Sequence, residues 1–207
     1  MIHQQFTKGG ATILLWKMTE DETTLLNFLQ LETIELNSYY SLKTSKRKQE
    51  YLGVRAALKT FFGKNKIIYN AERKPFLADN SAKISVSHSG QWLALMVHPN
   101  AEVGIDIECP SDKIEQLAVR FLCREELETI TGRKQHIAWS AKEALYKIIG
   151  KEAVDFPRQL RIFPFDIVGS EGEFNALHVP SDTVYTGNYL LTEEYTLVYI
   201  TSKQVHE

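Results

Sequence analysis

The 207-residue chain carries 24 Lys+Arg against 26 Asp+Glu, a net charge of −2. That balance gives no global electrostatic footprint for nucleic acid, and the length is ample for one large domain or two small ones with a buried core. Two cysteines, Cys109 and Cys123, are too few for a Cys-built zinc site and point to free thiols in a reducing compartment.

In chain order, the start "MIHQQFTKGGATILLWKMTEDE" holds an apolar run too short for a signal-peptide core, and no stretch approaches a membrane span. The expectation is a cytoplasmic protein. "ATILLWKM" reads as a strand. "EDETTLLNFLQLETIEL" reads as one amphipathic helix with Leu25, Leu29, Ile34 and Leu36 among its apolar positions, and "SKRKQEYLGVRAALKTFFG" as a second helix stopped at Gly63. "NAERKPFLADNS" is a turn-rich hairpin region, and "AKISVSHSG" and "WLALMVH" are strands joined across Ser89-Gly90.

"AEVGIDIE" then alternates Val103, Ile105 and Ile107 with Gly104, Asp106 and Glu108, the period of a half-buried strand. Asp106 and Glu108 therefore share a face. Two carboxylates that close repel each other unless a cation compensates. Beyond it, "DKIEQLAVRFL", "REELETITG" and "QHIAWSAKEALYKIIG" read as helices, and "LRIFPFDIV", "EFNALHV" and "TGNYLLTEEYTLVYITS" as strands. Each half runs strand, helices, strands, with the join near Pro99-Asn100, an order that favours α+β.

In the helix "WSAKEALYK", Ala141, Ala144, Leu145 and Ile148 form the buried stripe, while Trp139, Glu143 and Lys147 lie four apart on a neighbouring one. The plain reading of Glu143 and Lys147 is a surface pair worth a few tenths of a kcal/mol. The sharper one makes Glu143 a third carboxylate beside Asp106 and Glu108, with Lys147 reaching an anion. Three hard oxygen ligands suit Mg²⁺ or Mn²⁺ rather than zinc, and Mg²⁺ completes its shell with water and substrate phosphate. The combination points to metal-assisted chemistry on a pyrophosphate.

"SVSHSG" is not a nucleophile elbow. His88, at a strand end, either has no task or meets an anion. Arg47 and Arg55, eight residues apart, share a helix face to within about 80°. With Lys46 and Lys48 they form a solvated surface, a docking patch or a phosphate grip. The cluster lacks interleaved aromatics, which tells against nucleic acid.

"VGIDIE" followed by "WSAKEALYK", with Lys74-Pro75 and "SVSHSG" upstream, resembles the paired signature of the 4′-phosphopantetheinyl transferases, in the longer, Sfp-type branch. The resemblance covers residues from about 46 to 151. It implies transfer of the phosphopantetheine arm of coenzyme A to a serine of an apo acyl or peptidyl carrier protein, with release of 3′,5′-ADP. It implies a pseudo-two-fold α+β monomer, with residues 1–100 gripping the nucleotide and residues 101–207 carrying the metal signatures. On it, Asp106, Glu108 and Glu143 would hold Mg²⁺ (or Mn²⁺). Glu143, Asp106 and Lys147 would be the catalytic set, with Glu143 as base. Lys147 would contact the phosphate chain, His88 and Ser87 a CoA phosphate, and Lys74, Arg47 and Arg55 the nucleotide end and its 3′-phosphate. Arg120, Phe121, Leu122 and Arg124 would form a docking surface for the carrier, against the plainer reading of Phe121 and Leu122 as core. Glu125 matches an acidic position of the family but also suits a helix's first turn.

Two departures stand out. Arg73 precedes Lys74-Pro75 where relatives often carry glycine, and Glu152 follows Gly150-Lys151 where they often carry a second glycine. Two other functions compete: a Mg²⁺-dependent nucleotide pyrophosphate hydrolase, and a non-catalytic module that binds CoA or a carrier. The hydrolase leaves the basic helix and "SHSG" without a shared purpose. The binding module leaves three acids around an anionic ligand unexplained.

Overall fold

The computed structural model describes residues 2–63, 66–71, 73–150 and 153–202. Lys151 and Glu152 of the Gly150-Lys151-Glu152 departure lie outside the described residues.

Hydrophobic patterning builds two stacked antiparallel sheets. The first has strand order β1-β2-β6-β5, from β1 (Ile2–Lys8), β2 (Ala11–Lys17), β5 (Lys83–Ser89) and β6 (Trp92–His98). The second has order β7-β11-β10-β9-β8, from β7 (Val103–Glu108), β8 (Leu160–Ile162), β9 (Glu171–His178), β10 (Thr183–Leu191) and β11 (Thr196–Thr201). A small hairpin pairs β3 (Ile67–Tyr69) with β4 (Pro75–Leu77).

Strands β2 and β6 are near-continuous apolar runs because both of their faces are covered, the signature of an interior strand. Leu14, Trp16, Leu93, Leu95 and Val97 face one core, with Leu52 and Leu58 of α3 (Ser45–Phe62). Ile13, Leu15, Ala94 and Met96 face the other way and meet Val103, Ile105, Ile107 and Leu197 of the second sheet. The far side of that sheet, with Val198 and Ile200, is covered by Ala141, Ala144, Leu145 and Ile148 of α7 (Arg133–Ile149). The layers are thus helix, sheet, sheet, helix. A strand order recurs once the edge strand β1 is set aside: β2-β6-β5 in the first sheet and β7-β11-β10 in the second each place an early strand beside the last strand of the sheet, with the strand before it next.

Some elements differ from the sequence expectations. The single helix expected over residues 20–36 is two, α1 (Glu22–Leu29) and α2 (Thr33–Ser41). Gln30 adopts φ +53° and ends the first, and Glu32 with Glu35 caps the second, so Ile34 lies 79 % exposed rather than on a buried stripe. The helix after β7 is likewise divided, into α4 (Asp112–Gln116) and α5 (Ala118–Phe121), ahead of α6 (Arg124–Thr129). α8 (Phe156–Gln159) precedes β8, which stops at Ile162, two residues before Pro164, a residue with no N–H for a ladder. β1, polar and at the sheet edge, carries too little alternation to read from sequence. α3 ends at Gly63 with φ +62°, as expected.

Candidate active site

The site begins with a glycine. A Cβ on Gly104 would lie 2.0 Å from the backbone oxygen of Ala144, so β7 and α7 approach closer than any side chain there permits. Gly104, Asp106 and Glu108 point to that helix face while Val103, Ile105 and Ile107 enter the core between the sheets. The close approach sets Glu143 and Lys147, one turn apart on α7, beside the two strand carboxylates.

Lys147 Nζ donates to the Ile105 carbonyl at 2.7 Å and to Asp106 Oδ1 at 2.9 Å. Asp106 is 4 % exposed; its Oδ1 also accepts from Ser87 Oγ at 2.8 Å, while its Oδ2 is buried with no hydrogen-bond partner. Glu108 accepts from Ser89 Oγ at 2.9 Å and from Trp139 Nε1 at 3.3 Å. Burial, with the Asp106 charge adding to it, raises the Glu108 carboxyl above its ordinary value. Burial does the same at Glu143, helped by Asp106 and Glu108 against Lys147, and pushes its carboxyl up to about 7. Each acid feels the others, and one cation, Lys147, does not satisfy all three.

The serines of "SVSHSG" hold this arrangement to the first sheet. β5 and β7 run side by side, and Ser85, Ser87 and Ser89, at period two, all face β7. Ser85 Oγ accepts from Ile105 N at 3.0 Å, and Ser89 Oγ accepts from Cys109 N at 3.0 Å. Ser87, expected at a phosphate, is 8 % exposed and donates to Asp106 instead. The opposite face of β5 carries Ile84, Val86 and His88 toward α3. His88 Nδ1 stands 3.8 Å from the Glu50 carboxylate, itself 3.3 Å from Arg47. Burial lowers the His88 imidazole below its ordinary value, Glu50 raises it, and Lys147, Arg47 and Lys46 lower it further.

Two adjoining cavities open here. One, of about 510 Å³, is lined by Arg47, Glu50, Tyr51, Arg73 and His88 among others. The next, of about 720 Å³, is lined by Arg47, Arg73, Lys74, Glu143, Tyr146 and Lys147 among others. A third, of about 490 Å³, reaches Glu143 from another side between Arg120, Phe121, Trp139 and Phe156.

The expected residues divide accordingly. Asp106, Glu108, Glu143 and Lys147 stand together, and Arg47, Lys74 and His88 line the adjoining cavities. Lys74 Nζ is bound to Glu102 at 2.7 Å and to the Ile148 carbonyl at 3.3 Å, so it also fastens the β3–β4 hairpin to the end of α7. Arg55 is not brought to the site: while Arg47 stays exposed, the side of α3 that carries Arg55 turns inward. It is 3 % exposed, pairs with Glu35 at 3.2 Å, donates to Tyr51 O and stacks on the Tyr51 ring. Phe121 and Leu122 are core residues at 1 % and 2 % exposure, while Arg120 and Arg124 are exposed. Glu125 pairs with Arg161 at the surface. Trp139 on Glu108, and Ser85 and Ser89 beside Ser87, are the site residues that sequence reasoning passed over. The serine spacing was the available signal.

The donor set is all carboxylate oxygen, the choice of a hard divalent cation. The partnerless Asp106 Oδ2 and the mutual repulsion of the acids fit such an ion. Among the described residues, no three or more His, Cys, Asp and Glu side chains are arranged, as placed, so that they could hold a metal ion; the three carboxylates would have to draw together to do so.

Residues 102–198 match the family model of the 4′-phosphopantetheinyl transferase superfamily. The matched stretch contains Asp106, Glu108, Glu143 and Lys147 and leaves the first sheet with its helices outside it. Comparison with curated proteins finds no match. Among the described residues, no helix is long and apolar enough to cross a membrane.

Proposed function

We propose that this protein is an Sfp-type transferase that moves the 4′-phosphopantetheine arm of coenzyme A to a serine of an apo acyl or peptidyl carrier protein. The observation that carries the reading is the pairing of Asp106 and Glu108 on β7 with Glu143 and Lys147 on α7, across the close contact at Gly104. The family match over that same stretch supports it. So does the upstream half, which adds Arg47, Lys74 and His88 to the adjoining cavities.

Asp106, Glu108 and Glu143 would hold Mg²⁺ or Mn²⁺. When bound, the ion neutralises pyrophosphate charge and the charge that develops on the departing nucleotide. Lys147 leaves Asp106 for the phosphate chain, and His88 and Arg47 orient it from the other side. The acceptor serine oxygen forms a bond to the phosphorus that bears the pantetheine arm. The bond from that phosphorus to the bridging pyrophosphate oxygen breaks, and 3′,5′-ADP leaves. The serine proton passes to Glu143. Glu143 lines both the second and the third cavity, so it can face nucleotide and acceptor together. Phosphoryl transfer asks for this positioning and charge compensation more than for covalent help.

The discriminating test is product release. 3′,5′-ADP should accumulate from CoA and a divalent cation only when an apo carrier is added. Release of nucleotide without any carrier would make the protein a hydrolase and end this reading.

A further inference from the structure

Arg73 occupies the β3–β4 turn with φ +61°, a left-handed conformation open to glycine and strained for a long side chain. Asn70 holds the turn. Its N–H donates to Lys74 O at 3.2 Å, its carbonyl accepts from Arg73 N at 3.0 Å, and its Oδ1 accepts from Lys74 N at 2.8 Å. Strain of this kind costs on the order of 1–3 kcal/mol and persists where the surroundings over-determine it, most often at a functional site.

The turn sets Arg73 on the wall between the two adjoining cavities, which share Arg47, Arg73, Pro75 and Val86. The two arginines differ in what they already hold. Arg47 is engaged by the Glu50 carboxylate at 3.3 Å. Arg73 is exposed and makes no ion pair with any described residue. Lys147 and Glu143 line the second cavity and not the first.

On the transfer reading, whose ligand carries a pyrophosphate and, one ribose away, a 3′-phosphate, the pyrophosphate belongs beside Lys147. The second anion then falls at the wall between the cavities. A guanidinium is the side chain whose forked donors match a phosphate. We propose that Arg73 reads the ribose 3′-phosphate of coenzyme A and sets a preference for CoA over dephospho-CoA. In this account the left-handed conformation serves to aim the side chain, and Arg73 is a specificity-determining residue of the nucleotide site.

Calorimetric titration of CoA and dephospho-CoA into the wild type, Arg73→Gly and Arg73→Lys tests it. Glycine fits φ +61° without strain, so the first variant keeps the turn. The wild type should bind CoA the more tightly, and Arg73→Gly should cut the ratio of the two dissociation constants about tenfold, the factor that corresponds to about 1.4 kcal/mol. Arg73→Lys should keep part of the ratio. A ratio unchanged in Arg73→Gly overturns the assignment, and so does an equal loss for both nucleotides, which would place Arg73 on the pyrophosphate. In either case wild-type binding of both leaves the transfer reading standing. A wild type that binds neither nucleotide removes that reading and this assignment with it.

Discussion

Lys142 and Glu143 are neighbours in the chain with opposite tasks. Lys142 is fully buried, paired with Glu126 at 2.7 Å and donating to the Phe121 carbonyl at 2.7 Å. Glu126 also accepts from the backbone of Cys123 and Ile162. The lysine thus ties α5, α6 and β8 to α7, and no motif separates it from Lys147, the proposed phosphate contact five residues on. Glu143 instead opens to the cleft with its carboxyl raised from an ordinary 4.5 to about 7, by burial first and then by Asp106 and Glu108. A raised acid releases its proton sooner in the unfolded chain than in the folded one. The stability it contributes is therefore present below about pH 4.5 and is lost as pH rises toward 7. Metal-free protein should melt at a lower temperature at pH 7 than at pH 5, by a smaller margin in Glu143→Gln. Added Mg²⁺ should raise the midpoint more at the higher pH. Scanning calorimetry at the two pH values reads this, and equal slopes in wild type and variant would remove Glu143 as the strained acid.

At the scale of elements, the alternation of β7 and the four-residue spacing of Trp139, Glu143 and Lys147 were legible because each rests on local geometry alone. What the sequence does not print is how two elements meet. Gly104 reads as one more small residue in a strand until the Ala144 carbonyl is found where its Cβ would be. The same limit hid the β5–β7 seam, where Ser85, Ser87 and Ser89 bond across to β7, and turned Arg55 inward, since a helix phase of about 80° permits either outcome. The break at Gln30 was missed because no glycine or proline marks it. Gly104→Ala should push α7 from β7, destabilise the fold by about 1–3 kcal/mol, and abolish most of the Mg²⁺-induced rise in melting temperature. Urea denaturation and metal titration of the variant measure both. A variant as stable and as metal-responsive as wild type would mean the contact at Gly104 does not position the acids.

On the scale of the whole molecule, the carboxylates lie where the edge of one sheet meets the edge of the other. The cavity that holds Glu143 and Lys147 together with Arg47 and Lys74 takes its walls from both halves, and α3 and α7 lie on the two outer faces. α+β was legible from the order of elements. The stacking of the sheets was not, because strands buried on both faces show the same apolar run whichever neighbour covers them. On the proposed function, these acids, held where the two sheets meet, serve phosphopantetheine transfer to a carrier. The most direct test is the intact mass of apo fatty-acid and peptide-synthetase carriers after incubation with the protein, CoA and Mg²⁺. The carrier should become heavier by one phosphopantetheine, with no gain in the presence of chelator and none with Asp106→Ala. An unmodified carrier of both kinds, with the wild type folded and binding CoA, would contradict it.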